Sequence, residues 1–203
     1  MTLFDDDEFG RDEDLGIGRP GPQDPALLTA RQLVAACQEA RGADDVSYAA
    51  SETEAFLEAQ GDHVDDVVLL ELLGLPTREA LMQALIDLAD AIAQRAPAIV
   101  PAVYAVATGG ATQARATAET VLRRLPPSDY AAGLVLILQD EAAGRRQKEH
   151  AGKALLGLVR SAPSVLLDAL AEPEVRTWLI ELSGASASAT DTELMRRFFA
   201  GTA

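Results

Sequence analysis

Arg146, Lys153 and Arg160 are spaced seven residues apart. On an α-helix that spacing drifts by only about 20° per step, so the three cations form one stripe. Arg123, Arg124 and Arg176 fall on the neighbouring predicted helices. Together the six could clamp carboxylates or phosphates through charge-assisted hydrogen bonds. The plainer alternative is a solvated surface on which Asp140, Glu149 and Glu174 intersperse the bases. A second constellation is the run Phe4-Asp5-Asp6-Asp7-Glu8-Phe9, in which aromatic residues bracket four acids. It reads as a short docking peptide or as a solubilising tail. Both sets are candidate partner-binding residues.

Groups suited to catalysis are sparse. His63 sits among Asp62, Asp65 and Asp66, whose carboxylates could ligate a cation. The spacing lacks the glycine and the distal glutamate of a calcium loop, and acids at a helix start are favoured by the macrodipole in any case. His150 follows Glu149 within a helix and has no His or Cys three or four residues away. Cys37 lies on a Leu/Val/Ala stripe; Arg41 would activate it, whereas Glu39, Asp44 and Asp45 oppose that. It reads as a buried, inert thiol. No phosphate loop, nucleophile elbow or His-Glu-x-x-His motif is present. The expectation is a protein with no catalytic residues, no cofactor and no metal, and not an enzyme.

The elements that must position these residues carry an uneven charge. Residues 1–24 hold eight acids and two arginines, residues 25–76 ten acids and two arginines, and residues 77–203 fourteen acids and thirteen bases. Nearly all of the net −15 therefore precedes residue 77. Such a field repels nucleic acid and anionic membrane and favours basic protein surfaces; nucleic-acid binding is disfavoured further by the lack of interleaved aromatics. Aromatic residues make up only 4% of the 203, so the core must be built from Leu, Ala, Val and Ile. One cysteine excludes an internal disulfide and fits a reducing compartment. The acidic N-terminus does not look like a secretory signal, and the uncharged run from Ala96 to Ala114 is broken by Pro97, Pro101, Gly109 and Gly110. A cytoplasmic location without a membrane span is expected.

Residues 1–24 mix acids with Gly and Pro without apolar periodicity and are expected to be disordered. Helix signals dominate from Asp24-Pro25, an N-cap followed by a proline. Ser51 with Glu54 suggests a capping box, Gly61 a stop, and Thr77 the cap of a helix running to about Arg95 with Leu81, Leu85, Leu88 and Ile92 on one face. The fold class is all-α. Pro97, Pro127 and Pro163, spaced 30 and 36 residues apart, each open a helical pair. The pairs are Ile99–Ala107 with Thr112–Leu125, Ser128–Asp140 with Arg145–Ser161, and Val165–Ala171 with Pro173–Leu182. After Gly184, Thr190 and Glu193 begin a short amphipathic helix.

The stretch from Ala162-Pro163 to Leu170, followed by Glu172-Pro173-Glu174-Val175-Arg176, resembles the HEAT/armadillo-type α-solenoid family: a proline-started first helix, an acidic turn, and a Val-Arg opening of the second helix. The preceding unit keeps Asp140 at the turn and Arg145-Arg146 after it. The one before departs, with Gly109-Gly110 at its turn. The resemblance covers about residues 62–183 and implies a curved stack whose second helices line a protein-binding surface. A helical bundle is the alternative architecture. The expected organisation is a tail (1–24), an acidic helical segment (25–61), a helical-repeat domain (62–183), and a linker with a C-terminal helix (184–203). The expected function is a protein–protein interaction module serving as adaptor, scaffold or assembly factor. Two alternatives stand beside it. One is a stoichiometric inhibitor of the immunity-protein or antitoxin kind, turning its acidic front against a basic target. The other is a helical enzyme or ligand-binding domain.

Overall fold

Proline and aspartate punctuate the chain where helices begin. The computed structural model describes residues 24–60 and 64–161. The Asp24 carboxylate accepts the Ala26 N–H at 2.9 Å, and Pro25 opens α1, Pro25–Glu39. There follow α2, Ala43–Gln60; α3, Asp66–Leu72; α4, Met82–Ala93; α5, Val100–Gly109; α6, Thr112–Leu122; α7, Pro127–Gln139; and α8, Arg145–Ser161. A 3-10 turn at Glu79–Leu81 leads into α4. All regular structure among the described residues is helical, and none of these helices is long and apolar enough to cross a membrane.

Two expected starts are displaced. Ser51 does not begin a helix: α2 runs through it from Ala43, with Ala49, Ala50, Thr53 and Leu57 facing inward. The upstream turns bury alanine rather than leucine, so their apolar stripe is faint in the sequence. Thr77 does not cap α4 either; the 3-10 turn intervenes. The leucine stripe itself is as expected, with Leu81, Leu85, Leu88 and Ile92 all fully buried. Burying such a side chain stabilises the fold by about 1.5–3 kcal/mol.

Consecutive helices pair, α1 with α2, α3 with α4, α5 with α6 and α7 with α8. The pairs then join one another. α1 packs on α3 and α2 on α4, so the first joint is made by both members. The next joint is carried by the second helices, α4 on α6, and the one after it by the first helices, α5 on α7. Every extensive helix–helix contact among the described residues thus links helices one or two places apart in the chain.

Polar links hold the connectors. Gln38 donates to the Gly74 carbonyl at 2.8 Å, and Arg78 to the Ala40 carbonyl at 2.8 Å. Arg95 pairs with Asp66 at 2.6 Å. The buried Thr117 hydroxyl of α6 donates to the Leu75 carbonyl, satisfying a backbone group in the turn between α3 and α4. Glycine permits two close approaches. A Cβ on Gly110 would lie 2.6 Å from the Val106 carbonyl oxygen, which explains the tight α5–α6 turn. A Cβ on Gly133 would lie 2.2 Å from Val100 Cβ, so α7 crosses α5 at this residue.

Candidate partner-binding groove

α2 carries five acids and no base: Asp44, Asp45, Glu52, Glu54 and Glu58. Glu54 and Glu58 are one turn apart and flank Leu57, whose side chain is buried. α4 presents Asp87, Asp90, Ala91 and Gln94, which recur at helical spacing on one face. Where α2 packs on α4 the two faces enclose a groove of about 390 Å³, lined by Glu54, Leu57, Glu58, Asp87, Asp90 and Ala91 together with Gln94. Four carboxylates therefore surround a small apolar floor, and no base lines the groove. Asp87 accepts a hydrogen bond from Gln83 Nε2 at 2.9 Å. No group of three or more His, Cys, Asp or Glu among the described residues is arranged to hold a metal ion. Like-charged neighbours at i,i+4 cost a few tenths of a kcal/mol in an isolated helix, which counter-charges from outside would relieve.

The second helix of each pair changes charge steadily along the chain. After α2 comes α4, with two acids and no base; α6 has one of each, Arg115 and Glu119. The sequence of α8 carries Arg145, Arg146, Lys148, Lys153 and Arg160 against Glu149 alone. The first helices show no such progression. The second helices thus run from acidic at α2 to basic at α8.

The expected basic stripe lies within a single helix, α8, with Arg146 and Lys153 exposed; the Arg160 side chain is outside the description. Arg123 and Arg124 follow the last turn of α6 and are also exposed. Arg123 forms a loose pair with Glu119 at 3.7 Å. α6 and α8 share no extensive face, so helix packing does not bring Arg123 and Arg124 against the α8 cations. Arg176, the run from Phe4 to Phe9 (Asp5, Asp6, Asp7 and Glu8 between them), His63, and the elements expected beyond Ser161 lie outside the described residues.

His150 is exposed on α8. Cys37 is only 1% exposed, and its sulfur lies 3.7 Å from the Thr53 hydroxyl. Burial pushes the thiol pKa up, against smaller opposing effects of the Thr53 contact and of Arg78. That is the environment of an inert thiol.

The groove carboxylates Glu54, Glu58, Asp87 and Asp90 escaped the sequence reading as a set. The acid excess was plain, but the pairing of α2 with α4, separated by α3, was not. No family model, no curated protein and no solved structure matches the chain.

Proposed function

We propose that this chain is a non-enzymatic protein–protein interaction module built of HEAT-like helical pairs, and that it holds a basic segment of its partner in the groove between α2 and α4. The observation that carries the reading is the groove, with four carboxylates from two helices around Leu57 and Ala91 and no base lining it. A partner helix with Lys and Arg flanking a narrow apolar stripe supplies the counter-charges and covers the floor. The packing order supports the repeat architecture, since pairs that bury their faces on nearest neighbours yield contacts only one or two helices apart. A closed bundle would set the first helices against the last. In this reading the stack begins at Pro25, with α1 and α2 as its first pair.

An adaptor, scaffold or assembly role follows from such a surface. The same groove favours a second reading, a stoichiometric inhibitor that covers a basic, nucleic-acid-binding surface on its target. Calorimetric titration with a lysine- and arginine-rich amphipathic helical peptide tests the shared core of both. Affinity is expected to fall between about 50 and 300 mM salt, as screening shortens the reach of exposed charges. It is expected to be lost in the variant Glu54→Gln, Glu58→Gln, Asp87→Asn, Asp90→Asn. Binding indifferent to both changes would remove the groove from the mechanism. Competition between nucleic acid and this protein for the native partner then separates inhibitor from adaptor.

A further inference from the structure

A second cleft, of about 210 Å³, lies where α5, α6 and the start of α7 meet, and shares no lining residue with the acidic groove. Ala107 and Leu122 supply apolar wall; Tyr104, Tyr130, Thr108, Glu119 and Arg123 supply polar groups. Tyr104 is only 7% exposed, yet its hydroxyl has no hydrogen-bond partner among the described residues. No side-chain nitrogen or oxygen among those residues is both sealed from solvent and unbonded. The Tyr104 hydroxyl is therefore not sealed from solvent, and Tyr104 is one of the residues lining the cleft. Tyr130 is half-buried and close enough that ionising one phenol opposes ionising the other. Burial raises both pKa values, that of Tyr104 to about 12, so both groups remain hydroxyl donors at neutral pH.

We propose that this cleft binds a small organic carboxylate, whose oxygens accept from the Tyr104 and Tyr130 hydroxyls and from Arg123 while its hydrocarbon body rests on Ala107 and Leu122. Three residues that carry donors line the space. The acid beside them, Glu119, is held by Arg123 at 3.7 Å, with the two side chains 48% and 80% exposed respectively. Such an exposed pair is weak, so the guanidinium can turn to a carboxylate and grip it with two parallel hydrogen bonds. The Thr108 hydroxyl already donates to the Tyr104 carbonyl at 2.9 Å, leaving it as an acceptor only. Size sets the ligand class. The cleft is smaller than the usual ligand pocket of about 300–1,000 Å³, and holds roughly seven waters at ~30 Å³ each. That size suits a compact acid.

The probe is benzoate, with benzamide as its neutral isostere, followed by NMR chemical-shift titration of the full chain. Benzoate is expected to bind one saturable site and to shift resonances of Tyr104, Tyr130 and Leu122, with benzamide binding at least several-fold more weakly. Tyr104→Phe with Tyr130→Phe keeps the rings and removes only the hydroxyls, and should weaken benzoate by roughly tenfold or more, the worth of hydrogen bonds to a charged group. Arg123→Gln, on an exposed side chain, should weaken it comparably and remains informative even if the tyrosine variant folds poorly. No saturable benzoate site, equal affinity for benzamide, or an affinity unchanged in Arg123→Gln would each overturn the proposal.

Discussion

Tyr104 couples the cleft to the stability of the fold. Its native pKa of about 12 lies above the ordinary value of 10.0 because burial penalises the phenolate. A group whose folded pKa is raised contributes stability that is complete below the unfolded pKa and is lost as pH rises through the folded one. Stability should therefore decline between about pH 10 and pH 12, with Tyr104 accounting for on the order of 2 kcal/mol of the loss. Urea midpoints measured across that range should fall steeply in the native chain and less so in Tyr104→Phe. Equal slopes in both would show that Tyr104 is not the group responsible. At this scale the sequence spoke unevenly. Cys37 was legible as a buried thiol because Leu33 and Val34, its apolar neighbours on the same helix, lie within about one turn of it. Tyr104 was not, because its surroundings come from α6 and α7 rather than from its own helix.

At the scale of elements, helix starts were legible where a proline opens the helix, as at Asp24-Pro25 and Pro127, but not from the cap signals at Ser51 and Thr77. Helix α2 begins eight residues before Ser51, and its early turns bury alanines, which carry little apolar signal. Two glycines separate local preference from packing. Gly133 lies on α7 where an added Cβ would come 2.2 Å from Val100, whereas Gly157 on α8 has open space around it. Alanine is the better helix former at both, by about 1 kcal/mol. At Gly133 the clash outweighs that gain, since overpacking costs about 1–3 kcal/mol and here meets a β-branched side chain on the partner helix. Thermal denaturation should show Gly133→Ala destabilised and Gly157→Ala stabilised. A stabilised Gly133→Ala would mean that α5 and α7 do not meet as described, and a destabilised Gly157→Ala that the space at Gly157 is not open.

For the molecule as a whole, the repeated pairs could be read from Pro and Gly punctuation because each pair is local. The joints between pairs could not, since their faces are chosen over distances of 20 residues and more. Those joints differ in construction. The first is closed by both members of each pair, the second by the second helices alone, and the third by the first helices alone among extensive contacts. Pulsed electron paramagnetic resonance can read the difference. Labels at Glu58 and Asp90 should give a narrow distance distribution, and labels at Asp90 and Lys153 a broad one. Equally narrow distributions would show that the third joint is as stiff as the first.

Along the second-helix edge, α2, α4 and α6 are sewn together, and only the step from α6 to α8 is left unsewn. The acidic groove of α2 and α4 and the basic residues of α8 thus lie on opposite sides of a joint at which the second helices share no extensive face among the described residues. In the proposed reading, a partner bearing opposite charges at its two ends would have to span that joint.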